Sequence, residues 1–286
     1  MPFALPEHLE SRPIAVVGAG TLGRRIALML ATQGAEVRLI DSNADARRSA
    51  VAYIEDQLPH VLATLPTGKP GFIVSGDDLA QGVDDAWLVV ESIPEQLDLK
   101  KDLFKKLGAF APADAILASN SSSYPSSQFV EGVQRPERVL NTHYMMPPDA
   151  RAVELMSCGY TDPSVIALLS QVLQRHGLTP YVVQKESVGF IYNRIWAAIK
   201  REALSVVADG VSTPQSIDAI YTQTTGAKAG PFRMIDAVGL DVVLNIEEHY
   251  AQLRPGLPVG PRELLKRMIG EGRLGRKSGC GFYSDY

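Results

Sequence analysis

Apolar and polar positions along this chain follow two rhythms. A four-residue apolar run, Ile14 to Val17, is followed by helical periodicity over 22–33 and by a second short run, Glu36 to Ile40. Strand-like runs recur at Phe72 to Val74, Trp87 to Glu91, Ala115 to Ala118, Val139 to Tyr144, Val153 to Met156 and Thr179 to Val183. Helical patterns fill 44–64, ending before Pro66, and run from Pro94 to about residue 108 with Leu97, Leu103 and Leu107 on one face. LPTGKPG (65–71) is dense in turn formers and reads as an exposed loop. Strands separated by helices predict an α/β architecture: a mostly parallel sheet covered on both faces.

The rhythm changes after Lys185. From Val188 to Ala208 the apolar residues exceed a single helical stripe, so this helix needs cover on several sides. Thr213-Pro214 is a helix start, with a capping hydroxyl before proline. Further helical patterns cover 214–222, 231–252 and 261–270. The chain therefore divides into an α/β domain over 1–184 and an all-helical domain over 185–286.

Within the first element pair lies Gly18-x-Gly20-x-x-Gly23, with a strand before it, a helix after it and a second strand ending in Asp41. That context makes it a Rossmann-type dinucleotide-binding unit. Gly18 permits the tight turn, Gly20 lets backbone approach a pyrophosphate, and Gly23 lets the helix pack closely. The helix start at Thr21 and Leu22 offers open N–H groups and a positive dipole end to phosphates. Asp41 would accept hydrogen bonds from an adenosine ribose and repel a 2′-phosphate, which favours NAD over NADP. Arg47 and Arg48, further on, read as a solvated helix face.

Composition narrows the partners. Hydrophobic residues make up 45% and charged residues 21%, and the net charge is −4 without a long basic run, so neither nucleic acid nor an anionic membrane is indicated. The opening MPFALPEHLESRP does not read as a signal peptide, and no apolar stretch has the length of a membrane span. Cys158 and Cys280 lie far apart, which speaks against a zinc site or disulfide framework, fits a reducing cytoplasm, and leaves no metal expected.

Candidate chemistry gathers after the later strands. His143 follows an apolar run, and imidazole suits removal of a hydroxyl proton near neutral pH. Glu154 lies eleven residues on, beyond Pro147-Pro148, so the two strands could run side by side with a carboxylate beside the ring. From spacing alone, a structural histidine and a solvent-facing strand acid remain open readings. Ser122 belongs to the third position of interest, SNSSS (119–123).

These residues carry a family resemblance over nearly the whole chain. The Gly motif, VVESIPEQLDLKKDLF (89–104), SNSSS, NTHYMMPP followed by VEL, SVGFIYNR (187–194), GPFRMIDAVGLD (230–241) and GRKSGCGFY (275–283) together resemble the L-3-hydroxyacyl-CoA dehydrogenase family. The resemblance implies NAD as cofactor, His143 as catalytic base and Glu154 as its partner. It implies that Ser122 and Asn193 hydrogen-bond the reacting oxygen and its neighbouring carbonyl. Asn120, Glu95 and Lys100 would contact the nicotinamide half of the cofactor, although a solvated helix face competes for Glu95 and Lys100. Asn193, inside an otherwise apolar helix, needs a partner of some kind. A homodimer through the helical domain is also implied, with Phe190, Ile191, Ile195, Trp196, Ile199 and Leu204 around much of one helix.

Two departures concern the substrate. The family follows its histidine with F-F-N-P, where this chain has Tyr144-Met145-Met146-Pro147. The family also places a long helical hairpin, along which CoA lies, between its second and third strands; the stretch at 44–71 is shorter and broken by Pro66, Gly68, Pro70 and Gly71. The leading expectation is an NAD-dependent dehydrogenase of an L-3-hydroxyacyl-CoA or similar 3-hydroxy compound. A dehydrogenase or reductase of a free 3-hydroxy or 3-oxo acid, or of an imine, is the alternative on the same fold. A dinucleotide-binding, crystallin-like protein without turnover is the second alternative, and a base would be superfluous there.

Overall fold

A computed structural model describes residues 3–286. The first compact unit runs to Ile191 and the second from Tyr192 to Tyr286. In chain order the first unit contains β1 (Ile14–Val17), α1 (Thr21–Leu30), β2 (Glu36–Ile40), α2 (Ala44–Leu62), β3 (Phe72–Gly76), α3 (Leu79–Val83), β4 (Leu88–Glu91), α4 (Leu97–Phe110), β5 (Ile116–Ser119), β6 (Val139–Met146), β7 (Ala150–Ser157), α5 (Pro163–Arg175) and β8 (Thr179–Val183).

The eight strands form one sheet in the order β3-β2-β1-β4-β5-β6-β7-β8. All neighbours pair in parallel except β6 and β7. Alternation along each strand feeds two separate cores. Ile14 and Val16 pack with α1, α2 and α5 on one face, while Ala15 and Val17 pack with Val83 of α3 and with Leu103, Phe104 and Leu107 of α4 on the other. This is the Rossmann-type sheet expected from the sequence. Chain order reverses between β1 and β4, and in open α/β sheets such a switch point is where the carboxyl ends of strands leave room for a ligand.

Local differences from the sequence reading have physical causes. Pro94 does not open α4. Ile93 N–H is held by the Glu91 carboxylate and Gln96 N–H by the Pro94 carbonyl, so a turn intervenes before Leu97. α3 and α5, unmarked in the periodicity reading, are capped by Asp78 and Asp162. Between β2 and β3 the only α-helix is α2.

The second unit contains α6 (Tyr192–Ala208), α7 (Pro214–Thr225), α8 (Pro231–Val238), α9 (Leu240–Leu253) and α10 (Gly260–Gly270). Its core gathers Leu204, Phe232, Ile235, Leu240, Val243 and Leu265. α6 starts at Tyr192 instead of Val188 because Gly189 and Phe190 adopt positive φ, +77° and +53°. The pattern over 231–252 is two helices, broken where Gly239 takes a φ of +105° that a helix cannot hold. Phe190 and Leu204 are spent on packing within the chain, so they are not part of an exposed helix face as the sequence suggested. Among the described residues no helix is long and apolar enough to cross a membrane, and no cluster of metal-ligating side chains occurs.

Candidate active site

The β1–α1 turn is built for close backbone approach. Gly18 takes a φ of +107°, and a Cβ there would lie 2.4 Å from the carbonyl oxygen of Ser92. A Cβ on Gly23 would lie 1.8 Å from the Gly18 carbonyl oxygen, so this glycine closes the turn on itself. Gly20 differs, because a Cβ there would meet nothing within 4 Å. The fold itself does not require glycine at 20, whereas a phosphate seated against the backbone would. No side chain caps α1, so its first amides, at Thr21 and Leu22, stay open to an anion.

Asp41, just past β2, is positioned by the same turn. One carboxylate oxygen accepts from Ala19 N–H at 2.8 Å and the other from Asn43 N–H at 2.8 Å. Arg47 corrects the expectation of a solvated face: its guanidinium donates to the Asp41 carbonyl and lies 3.7 Å from Asp77. Arg48 is exposed, as expected.

At the ends of β4 and β5 a buried ionic network replaces the solvated helix face considered for Lys100. Lys100 is 1% exposed, with its ammonium 2.7 Å from Glu91 and 3.0 Å from Glu95. Glu91, fully buried, also accepts from Ile93 N–H at 2.9 Å and from the Ser119 hydroxyl at 2.5 Å. Glu95 accepts from the Ser121 hydroxyl at 2.6 Å, from Ser122 N–H at 3.0 Å and from Ser123 N–H at 2.8 Å. Burial alone would push the Glu95 carboxyl up, but the Lys100 charge and these hydrogen bonds outweigh it and hold it below the usual carboxylate range. One carboxylate thus gathers the 121–123 loop. Asn120 accepts from Tyr144 N–H at 2.9 Å, while its amide NH2 has no partner among the described residues. The Ser122 hydroxyl is likewise unengaged.

His143 and Glu154 meet on adjacent antiparallel strands, directly opposite in register. His143 Nδ1 lies 2.8 Å from one Glu154 oxygen, and the residues are 6% and 2% exposed. An ionised carboxylate only accepts, so Nδ1 carries the proton and Nε2 keeps its lone pair. The other Glu154 oxygen accepts from Ile191 N–H at 2.8 Å. The left-handed turn at Gly189-Phe190 aims that amide, and it sets the Phe190 ring 4.9 Å from the imidazole. Asn193 sits in the first turn of α6, half-buried, not in the helix interior as expected.

Sequence reasoning passed over Glu91, Ser119 and the Ile191 amide. A signal existed for Glu91: an acid ending an otherwise apolar buried strand must find a counter-charge. Nothing local announces the Ile191 contact, which depends on backbone dihedrals.

A doubly wound sheet, a glycine turn open at Gly20 and an acid ending β2 define a dinucleotide-binding enzyme fold. Family comparison specifies it further. The model for the NAD-binding domain of 3-hydroxyacyl-CoA dehydrogenase matches residues 13–187, and that for its C-terminal domain matches 189–285. The chain belongs to the 3-hydroxyacyl-CoA dehydrogenase family of NAD-dependent oxidoreductases, and NAD is its cofactor. A probable 3-hydroxybutyryl-CoA dehydrogenase of Deinococcus radiodurans is 34% identical over 274 residues, covering 94% of this chain and 98% of its own. A 5-formyl-3-hydroxy-2-methylpyridine 4-carboxylate 5-dehydrogenase of Mesorhizobium japonicum is 30% identical over 280 residues, covering 95% and 90%. Among solved structures, a diketoreductase of dicarbonyl compounds matches with a TM-score of 0.79 at 32% identity, covering 95% of this chain and 98% of its own.

Proposed function

We propose that the protein interconverts a secondary alcohol and a ketone on a 3-hydroxy compound, with His143 as base. The observation that carries this reading is the 2.8 Å contact between His143 and Glu154, which leaves Nε2 free. Nε2 takes the hydroxyl proton, and Glu154 stabilises the imidazolium that results. In reduction the same nitrogen returns the proton. NAD, when bound, supplies the hydride acceptor. Gly18, Gly20, Thr21, Leu22, Gly23 and Asp41 hold its adenosine and phosphate half, and Asn120 offers its free NH2 to the nicotinamide half. Glu95 and Lys100 serve that half by fixing the 121–123 loop, and the Ser122 hydroxyl faces the developing carbonyl. Asn193 is a substrate contact on the strength of the resemblance alone.

The substrate is an L-3-hydroxyacyl-CoA or a free 3-hydroxy acid. The acyl-CoA reading is supported by the match to the 3-hydroxyacyl-CoA dehydrogenase models and by relatives named 3-hydroxybutyryl-CoA dehydrogenase; the free acid is the alternative, supported by a relative named for a pyridine carboxylate. A homodimer through the second unit is supported by the resemblance and by the exposed apolar side chain of Ile195 on α6, 55% exposed. Two free cysteines support a reducing, cytoplasmic setting.

The test is NADH oxidation with acetoacetyl-CoA and with acetoacetate, on wild type and His143→Ala. Loss of the base should lower kcat by roughly 10²–10⁴-fold while NADH affinity stays within about twofold. A variant retaining more than about a tenth of wild-type kcat removes His143 from the base role.

A further inference from the structure

Arg24 stands in the first turn of α1, one turn beyond Gly20, whose carbonyl oxygen accepts from the Arg24 N–H at 3.1 Å. Its side chain is half-buried, with Nε shielded from water and without a hydrogen-bond partner. No carboxylate answers its charge: among the described residues the guanidinium makes no hydrogen bond and no ion pair. An aromatic ring holds it instead. The guanidinium carbon lies 4.5 Å from the ring centroid of Tyr53 in α2.

Arg25 shares that ring, 5.6 Å from the same centroid, but its charge is spent. One terminal nitrogen donates to the Pro147 carbonyl at 2.8 Å and to the Asp149 carboxylate at 3.1 Å, which ties α1 to the β6–β7 hairpin. Two guanidinium groups thus meet at Tyr53 against one carboxylate, itself 77% exposed. An arginine on a helix surface can swing outward and let water satisfy its Nε. Arg24 forgoes that hydrogen bond and stays stacked, a placement that costs stability. The stacked fork is fixed in direction, and its terminal N–H groups are left over for an anion.

Helical side chains lean toward the N-terminus, over the turn that precedes their own Cα. For Arg24 that turn is Gly20-Thr21, where the space beside Gly20 is open and no acid stands in the first turn of α1. The rise from residue 20 to 24 is about 6 Å, within reach of an arginine side chain. A dinucleotide seated there brings two phosphate charges, and backbone amides at a helix start offer only partial ones. We propose that Arg24 is the charge partner of the NAD diphosphate, its terminal N–H groups donating to a phosphate oxygen while Tyr53 positions the guanidinium. Arg25 braces the hairpin and takes no part. The contact concerns the cofactor alone and is independent of the role given to His143.

The experiment needs no turnover. Fluorescence titration with NADH, and its displacement by ADP-ribose or adenosine, gives dissociation constants for wild type, Arg24→Met, Arg24→Lys and Arg25→Met. ADP-ribose carries the diphosphate, whereas adenosine offers only the ribose to Asp41. Arg24→Met should weaken NADH and ADP-ribose about tenfold, the loss of one charge-assisted hydrogen bond, and leave adenosine within about twofold. Arg24→Lys should recover part of the loss, because it keeps the charge without the fork. Arg25→Met should hold all three constants within about threefold. Unimpaired NADH binding by Arg24→Met, equal losses on ADP-ribose and adenosine, or a loss as large in Arg25→Met overturn the proposal.

Two further readouts separate a charge contact from a structural role. Raising NaCl from about 50 to about 500 mM should narrow the gap in ADP-ribose affinity between wild type and Arg24→Met, and a gap unmoved by salt counts against the ion pair. Tyr53→Leu should weaken ADP-ribose about threefold, and Tyr53→Phe, which keeps the ring, should not. A Tyr53→Leu protein that binds ADP-ribose like wild type dismisses the positioning role. The ratio of ADP-ribose to adenosine affinity is internal to each variant, so a lowered melting temperature in Arg24→Met does not mask the result.

Discussion

Replacing Lys100 with methionine would leave the Glu91 carboxylate fully buried without a counter-charge. Breaking a buried pair from one side costs about 3–5 kcal/mol, because the abandoned charge keeps its desolvation penalty. At about 2–4 °C per kcal/mol for a domain of this size, the melting temperature of the first unit should fall by roughly 6–20 °C. The remedy follows from the contacts. Glu91→Gln removes the charge but keeps an oxygen for Ile93 N–H and presents an amide to the Ser119 hydroxyl. The double variant Lys100→Met/Glu91→Gln should therefore recover most of the loss, with a coupling energy of about 2–4 kcal/mol. The assay is urea denaturation at pH 7 of wild type, both single variants and the double, followed by far-UV circular dichroism. NADH titrations run alongside, because the 121–123 loop hangs on Glu95, a second partner of Lys100. A Lys100→Met cost below about 1 kcal/mol, or a double variant no more stable than that single, refutes the idea of a buried charge hub.

The second and third glycines of the turn should separate fold from cofactor. Gly23→Ala places a methyl 1.8 Å from a carbonyl oxygen and should lower stability and NADH binding together, whereas Gly20→Ala enters open space and should keep the melting temperature while weakening NADH at least about tenfold. Thermal melts paired with NADH fluorescence titration check both, and unimpaired NADH binding by Gly20→Ala would refute the backbone-to-phosphate contact. His176, buried beside Thr32 and the Met29 carbonyl, is pulled down to about 4, with burial as the largest cause. Its folded value lies below the unfolded one of about 6.5, so its contribution is whole above pH 6.5 and is lost as pH falls toward 4. Between pH 7.5 and 5.0 that amounts to about 2 kcal/mol in the urea unfolding free energy, which His176→Gln should remove. An unchanged pH slope in that variant would assign the loss to other groups.

Legibility in the sequence tracked how local each cause is. β2 and β8 appear with the limits their apolar runs indicate, because a short run between turn formers has little else to be. The Gly turn and Asp41 were readable since each residue answers a steric or charge requirement within one βαβ unit. The start of α6 was not, for Phe190 adopts its left-handed backbone only where Ile191 can reach Glu154. For Lys100 a solvated helix face competed with the cofactor contact that the resemblance implies, because helical periodicity says nothing about two acids arriving from a strand end and a loop. Gly239 looked tolerable inside a helix, and only its dihedrals reveal the break. His143 and Glu154 stand between these cases: turn residues hinted at neighbouring strands, but facing register is a property of the sheet.

That register has a consequence for how such proteins diversify. Cross-strand neighbours keep their spacing as long as the ladder holds, and a slip of either strand by one residue would turn its side chain to the other side of the sheet and part the pair. The His143–Glu154 contact, which we propose handles the proton, is thereby fixed by the backbone and insulated from whatever happens in the connections around it. Insertions, deletions and exchanged surface segments can redraw what is recognised without disturbing that contact, so one scaffold can serve many metabolites.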